Sequence, residues 1–199
     1  MFKAQRRQKR LKAKQEALEL TKKTVVSAQL LQSALASREA GVGNAKPHEI
    51  TVSLTSFHKR IDNVHLTIES IFQQSLRPDR IILWLARDMD EDNLPEILTQ
   101  QQRRGLEIRF MERDLGPYGK FFHTLKQHPD SLIITIDDDI LYPHDMVDML
   151  YRNWVKEPEV IHCHRAHTIG FDGNGKLLPY KQWNKGKAST TPSLLTFPT

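Results

Sequence analysis

Hydrophobic and polar positions along the chain predict four β-strands, each followed by a helix. The predicted strands are apolar or β-branched runs at residues 50–56, 80–86, 106–110 and 131–136. Helical spacing of apolar residues follows at 64–74, 94–104, 121–127 and 144–156. Because strands and helices alternate through short loops, the pattern predicts an α/β fold with a mainly parallel sheet flanked by helices.

Three consecutive acids end the fourth predicted strand. The run at 131–136 predicts a strand buried on both faces, and Asp137, Asp138 and Asp139 follow it directly. Unpaired charges are too costly to bury, so we expect the acids to emerge at the carboxyl edge of the sheet, where ligands bind. A divalent cation with oxygen ligands would relieve their mutual repulsion. The alternative is a solvated acidic turn that caps the helix beginning near His144.

Polar residues also follow the other predicted strands and are expected at the same edge. They are Thr55, Ser56 and Arg60 after the first strand, Arg87 and Asp88 after the second, and the loop from Asp114 to Lys120 after the third. Hydroxyls, carboxylates and phosphate-pairing cations at one edge suit a diphosphate ligand with a divalent metal. The loop at 116–120 lacks the spacing of a Walker phosphate loop, which argues against kinase or ATPase chemistry.

The C-terminal part of the chain departs from this alternation. Residues 160–167 alternate and predict a further strand, and 171–177 has the turn chemistry of a hairpin. From Tyr180 onward the chain is polar and rich in Ser, Thr and Pro, with no predicted closing element. We therefore expect the domain, taken as residues 47–199, to be incomplete at its C-terminus.

The N-terminal segment, residues 1–46, is predicted to be a basic helical arm followed by a linker. Helix-favouring residues run from Phe2 to about Ala40, and residues 41–47 have linker composition. The segment carries 11 Lys and Arg against 3 Glu, whereas the remaining residues carry 18 basic and 21 acidic side chains. Three roles stay open: a solvated helix, a helix on an anionic membrane surface, or a helix that binds nucleic acid or another partner. For the whole chain we expect no nucleic-acid partner, because the body lacks a basic footprint.

Cysteine content and hydropathy favour a cytoplasmic protein. The single cysteine, Cys163, excludes an intramolecular disulfide framework. The Met-Phe-Lys start lacks the apolar segment of a signal peptide, and no apolar run approaches the roughly 18 residues of a membrane span. Together with the basic arm, these features predict a cytoplasmic protein that contacts the inner face of the membrane.

Several segments, taken in order, resemble GT-A-fold glycosyltransferases of the family-2-like group, which includes bacterial enzymes that build surface polysaccharides. The segments are 53–57 (SLTSF) with Arg60, 81–85 (IILWL), 114–117 (DLGP), 134–139 (ITIDDD), 162–167 (HCHRAH) and 174–180 (NGKLLPY). The resemblance covers about residues 49–199. It implies a Rossmann-like GT-A domain, a nucleotide-sugar donor based on UDP or GDP, and Mn²⁺ or Mg²⁺ as cofactor.

The resemblance also implies roles for individual residues. The acids match the DxD motif, in which Asp137 would face the ribose or the metal and Asp139 would coordinate the metal. The remaining donor contacts would be Thr55, Ser56 and Arg60 at the nucleoside, Asp88 and Asp114 at the base or ribose, and Lys120 at the diphosphate or sugar. The implied reaction is an inverting displacement at the anomeric carbon by a hydroxyl of a saccharide acceptor, with a carboxylate base expected beyond Thr199.

Two alternatives belong to other functional classes. A truncated or non-catalytic nucleotide-sugar-binding protein would keep the donor site without the reaction. A metal-dependent phosphohydrolase would use the same acids, but such enzymes generally need an acid-rich loop after the first strand, where Thr55, Ser56 and Phe57 offer no carboxylate.

Overall fold

The fold comprises two compact units, Met1–Val147 and Asp148–Thr199. The computed structural model describes residues 2–43, 45–89, 94–185 and 196–198. Among these residues, no helix has the length and apolar character needed to cross a bilayer. The predicted division between residues 46 and 47 stays a prediction.

A four-stranded parallel sheet forms the centre of the first unit. Its strands are β1 (Ile50–Thr55), β2 (Arg80–Ala86), β3 (Leu106–Met111) and β4 (Leu132–Thr135), in the order β3-β2-β1-β4. The register places Val52 of β1 opposite Ile81 on one side and Ile134 on the other. The parallel α/β prediction is therefore confirmed.

Helices flank this sheet as the apolar spacing predicts. They are α1 (Phe2–Ala36), α2 (Val64–Phe72), α3 (Glu96–Gln102) and α4 (Gly119–Gln127). A fifth helix, α5 (Met146–Lys156), follows the loop after β4 and belongs mostly to the second unit. A short 3-10 turn at Gly116–Tyr118 leads into α4, so that helix begins two residues before its predicted start at 121. The predicted helical N-terminus is confirmed, and α1 ends at Ala36.

Strand β4 differs from its prediction as a strand buried on both faces. Leu132 and Ile133 are half-buried and Thr135 is exposed, whereas Ile134 is buried. The reason is position: β4 is an edge strand that pairs with β1 alone in the described sheet. Strands β1 and β2, which lie inside the sheet, are buried along nearly their whole length.

Helix α2 is buried on more sides than its apolar stripe predicts, because the end of α1 covers it. Leu30 and Ala34 of α1 are buried, and Ser33 donates a hydrogen bond of 2.8 Å to Glu69 of α2. Glu69 has no exposed surface and pairs with the Arg104 guanidinium through two bonds of 2.7 and 3.1 Å. This buried ion pair joins α1, α2 and the end of α3, and the sequence pattern does not predict it.

The second unit contains a small antiparallel sheet. Its strands are β5 (Ala166–Thr168), β6 (Asn184–Lys185) and β7 (Thr196–Pro198), in the order β6-β5-β7. The predicted hairpin is confirmed by an antiparallel bridge between Phe171 and Leu177. The prediction of a strand over 160–167 is wrong for most of its length: Ile161 is 80 % exposed, and without a covered face the alternation forms no ladder. The polar tail falls partly on residues 186–195, which lie outside the described residues.

Candidate functional site

Burial alternates residue by residue from the end of β4 through the acidic triplet. The Ile136 amide donates to the Ser53 carbonyl at 3.0 Å, which carries the extended chain past the last residue of β4. Successive side chains of extended backbone point to opposite faces, and the alternation of burial continues into the turn at Asp138 and Asp139. The inward residues are Ile134, Ile136 and Asp138, and the exposed ones are Thr135, Asp137 and Asp139. The triplet therefore divides into one inward carboxylate and two outward ones.

Asp138 is a buried anchor with three polar contacts. Its side chain is 7 % exposed and accepts hydrogen bonds of 2.7 Å from the Ser56 hydroxyl and from the Arg60 guanidinium. Its backbone carbonyl accepts a third bond of 2.9 Å from the Thr67 hydroxyl on α2. A buried carboxylate is tolerated only when it is paired in this way. Asp138 thus fixes the turn that carries its two neighbours.

Asp137 is exposed and pairs with a lysine from the first turn of α4. The Lys120 ammonium lies 2.7 Å from the Asp137 carboxylate and 2.9 Å from the Ile136 carbonyl. The Asp137 amide donates to the Tyr142 hydroxyl at 2.9 Å. Burial, with a smaller contribution from the acidic triplet, raises the pKa of Tyr142 to about 12, so this phenol stays neutral at physiological pH.

Asp139 is also exposed and shares a cation with Asp138. One nitrogen of Arg60 lies 2.7 Å from Asp138 and 2.9 Å from Asp139, and the guanidinium stacks over the Phe57 ring at 5.3 Å. The hydrogen bond to Asp138 and the charges of the acids raise the pKa of Arg60 above its ordinary value. Each outward carboxylate therefore has its own counter-ion.

A buried polar network fastens α4 to the sheet and so positions Lys120. The Ser53 hydroxyl of β1 donates to the Lys120 carbonyl at 2.7 Å and lies 2.7 Å from the Thr124 hydroxyl. The Trp84 indole of β2 donates to Thr124 at 2.7 Å. Gly119 allows this close approach, because a Cβ there would come within 2.4 Å of the buried Met111 sulfur. Trp84 is a buried core residue, and its indole hydrogen bond has no signal in the sequence.

The loop after the triplet is held by Ser70 in the last turn of α2 and by Gln74, two residues past its end. Ser70 accepts from the Tyr142 amide at 3.1 Å, and the Gln74 side chain donates to the Pro143 carbonyl at 2.6 Å. The Gln74 carbonyl oxygen accepts from the Val147 amide at 2.9 Å. These positioning contacts have no signal in the sequence, since polar side chains on an amphipathic helix ordinarily face solvent.

The structure brings some of the predicted site residues together and leaves others apart. Ser56, Arg60 and Lys120 contact the triplet directly, although the buried Ser56 hydroxyl is directed at Asp138. Thr55 is half-buried at the end of β1, and a Cβ on Gly119 would lie 3.4 Å from its methyl group.

The two remaining predicted acids lie in exposed loops. Asp88 occupies the turn after β2, and Asp114 accepts a hydrogen bond of 2.7 Å from the Gly116 amide within its own loop. Among the residues that the structure describes, no hydrogen bond or ion pair joins either acid to the triplet. Their contacts with a ligand stay predictions.

The outward carboxylates fit a divalent metal that shares its coordination with a ligand. Within the part of the chain that the structure describes, no three His, Cys, Asp or Glu side chains converge as a metal cage. Asp137 and Asp139 are 56 % and 54 % exposed and supply oxygen donors. Mg²⁺ is commonly held by one or two carboxylates together with substrate phosphates and water. The donor set therefore suits a metal that binds together with a diphosphate.

One solved structure to which the chain is similar is a mannosyltransferase from Pyrobaculum calidifontis in complex with GDP-Man and Mn²⁺. It is 12 % identical, the alignment covers 74 % of this chain and 47 % of that one, and the TM-score is 0.46. The chain thus spans about half the length of that enzyme. Among curated proteins, none matches the chain by sequence.

Comparison of the sequence with models of protein families shows which family the chain resembles. The model of the family described as "Glycosyl transferase family 2" matches residues 54–198. The matched range begins at the end of β1 and contains the acidic triplet with both of its counter-ions. The predicted family is confirmed, while the grouping with bacterial surface-polysaccharide enzymes stays a prediction. The chain belongs to glycosyl transferase family 2.

Proposed function

We propose that this chain binds a UDP- or GDP-sugar with Mn²⁺ or Mg²⁺ and transfers the sugar to a saccharide acceptor with inversion. The observation that supports the proposal is the division of the triplet, in which Asp137 and Asp139 face outward beside Lys120 and Arg60. Oxygen donors for a hard cation and N–H donors for phosphate at one sheet edge match the chemistry of a metal-bound diphosphate. Membership of the family supports the same reaction class.

The proposed roles follow from where each group points. Asp137 and Asp139 would hold the metal, and Lys120 and Arg60 would pair with phosphate oxygens. When bound, the divalent cation supplies Lewis-acid stabilisation of the departing diphosphate. The two cationic side chains add preorganised charge where negative charge grows in the transition state. Asp138 would act through position alone, because its oxygens are already bonded inside the protein.

The remaining donor contacts are proposed at the nucleoside end. Thr55 ends β1, Ser56 follows it in contact with Asp138, and both would border the nucleoside. Asp88 and Asp114 occupy exposed loops after β2 and β3, where their carboxylates would accept hydrogen bonds from the base or the ribose hydroxyls. Both loops follow the carboxyl ends of parallel strands, the edge at which such sheets bind nucleotides.

We also propose a cytoplasmic location with the basic helix at the inner face of a membrane. Every residue of α1 from 5 to 26 is exposed, and this stretch carries eight Lys and Arg against two Glu. Clustered basic residues on an exposed helix are attracted to anionic lipid. Co-sedimentation with phosphatidylserine vesicles, compared with phosphatidylcholine vesicles, tests this. Equal partition between the two would overturn it.

Calorimetric titration with UDP- and GDP-sugars, with and without Mn²⁺, tests the donor proposal. We expect metal-dependent binding of at least one donor, and its loss in Asp139→Ala. If neither nucleotide binds, the transferase proposal is wrong. If a donor binds but is neither hydrolysed nor transferred to saccharide acceptors, the chain is a nucleotide-sugar-binding protein instead.

A further inference from the structure

We propose that Lys120 and Arg60 are exchangeable counter-ions that couple metal binding to diphosphate binding. They neutralise Asp137 and Asp139 in the free protein and turn to the phosphate oxygens when metal and diphosphate bind together. This inference rests on the proposed donor function. The inference adds an explanation of why neither the metal nor the diphosphate binds tightly without the other.

The first observation is that both outward carboxylates are occupied in the free protein. Lys120 lies 2.7 Å from Asp137, and Arg60 lies 2.9 Å from Asp139. A metal that binds these oxygens must compete with a cation already in contact with them. Such competition lowers metal affinity, because the approaching charge meets two positive charges at hydrogen-bond distance.

The second observation is the charge balance of the five groups. Three carboxylates and two cations leave a net charge of −1 on the cluster formed by Asp137, Asp138, Asp139, Arg60 and Lys120. A divalent metal alone would reverse that sign, and the diphosphate of a nucleotide sugar, with about two negative charges, would alone leave the cluster strongly negative. Metal and diphosphate together leave the net charge unchanged. The net charge of the cluster therefore suits metal and diphosphate bound together, and suits neither of them bound alone.

The third observation is that the turn keeps its anchors when the cations exchange partners. Asp138 is anchored by Ser56 and Thr67 as well as by Arg60, so the turn keeps these contacts if the guanidinium shifts. The Arg60 side chain is 44 % exposed. The Lys120 backbone is tied to Ser53, and its side chain is 16 % exposed. Its ammonium lies at the end of a flexible four-carbon stem, so it would leave Asp137 and the Ile136 carbonyl by rotation of that stem.

Calorimetry on the full chain with Mn²⁺, UDP and GDP as probes tests the exchange. In Lys120→Gln without nucleotide, we expect Mn²⁺ to bind about threefold to fivefold more tightly, since an ion pair whose carboxylate is more than half exposed is worth up to about that factor. With saturating Mn²⁺, we expect the same variant to bind the diphosphate about tenfold more weakly, because a charge-assisted hydrogen bond is lost. The cooperativity between the two ligands should fall accordingly.

Two further variants keep the test decisive. Lys126→Gln removes a lysine from the last turn of the same helix, α4, and should leave Mn²⁺ affinity unchanged. Arg60→Gln keeps an N–H donor for Asp138 while removing the charge beside Asp139, and should repeat the Lys120→Gln result if that variant does not fold. Melting temperatures identify variants that have lost structure.

The outcomes separate this inference from the donor proposal. If the wild type binds UDP or GDP with Mn²⁺ but neither counter-ion variant binds free Mn²⁺ more tightly, the exchange is wrong and the donor function stands. If the wild type binds neither nucleotide, the donor function fails and the exchange with it. Equal tightening in Lys126→Gln would show a general charge effect and would also overturn the exchange.

Discussion

Two carboxylate–cation clusters in the first unit use the same chemistry for different purposes. Glu69 and Arg104 are buried, with side-chain exposures of 0 % and 6 %, and they join helices. In the acidic triplet, Asp137 and Asp139 are more than half exposed beside Lys120 and Arg60. We call Glu69 with Arg104 the closed pair, and the triplet with Lys120 and Arg60 the open cluster. Burial keeps ligands away from the closed pair, so its role is structural. In the triplet, the proposed exchange of partners depends on the exposure of Asp137 and Asp139.

The largest expected effect lies in the closed pair. Glu69→Ala should destabilise the protein by about 3–5 kcal/mol, because it leaves the Arg104 guanidinium buried without its partner. Urea unfolding followed by circular dichroism measures this. A loss below about 1 kcal/mol would mean that water replaces the carboxylate, and the pair would then not be closed.

A matched serine pair gives the next largest effect. Ser56→Ala should cost roughly 1–3 kcal/mol, because the Oδ2 atom of Asp138 loses its described hydrogen-bond donor. Ser33→Ala at Glu69 should cost about 0.5–1.5 kcal/mol, since the same Glu69 oxygen still accepts from Arg104 at 3.1 Å. Urea unfolding of both variants provides the comparison. A larger loss for Ser33→Ala would reverse the expected order.

The open cluster should contribute little to stability through its outer pairs. Lys120→Gln is expected to change the free energy of unfolding by less than about 1 kcal/mol, because its partner Asp137 is mostly exposed. The same unfolding assay at low and high salt measures it. A large, salt-insensitive loss would show that this pair is structural, like Glu69 with Arg104.

The smallest expected effect on the free energy of unfolding appears only at alkaline pH. Burial raises the pKa of Tyr142 to about 12, above the roughly 10 of an unfolded chain. Between these values the unfolded chain has released its proton and the folded one has kept it, so stability falls as the pH rises. Tyr142→Phe should lose stability less steeply over this window. Equal slopes for the two proteins would show that Tyr142 is not protected.

The sequence predicts the parts of the structure that depend on local pattern. Strand–helix alternation gives the parallel sheet, and an apolar run ending in Asp137, Asp138 and Asp139 gives the position of the site. The alternation of burial that begins in β4 continues into the turn at Asp138 and Asp139, which leaves the first and third acids exposed.

Contacts between residues far apart in the chain explain what the sequence does not predict. Ser56 and Asp138 are 82 positions apart, and Ser33 and Glu69 are 36 apart. No local period records such pairs. The edge position of β4 likewise depends on strand order, which apolar content alone does not specify.

The most direct test compares Asp138→Asn with Asp139→Asn in one set of experiments. Both the free energy of unfolding and the Mn²⁺-dependent affinity for UDP and GDP are measured for each variant. The proposed division of roles predicts that Asp138→Asn mainly loses stability, because its carboxylate is buried and paired. Asp139→Asn should stay stable and lose metal-dependent binding. Equal losses in both properties, or the reverse pattern, would contradict the division of the triplet into one anchor and two ligands.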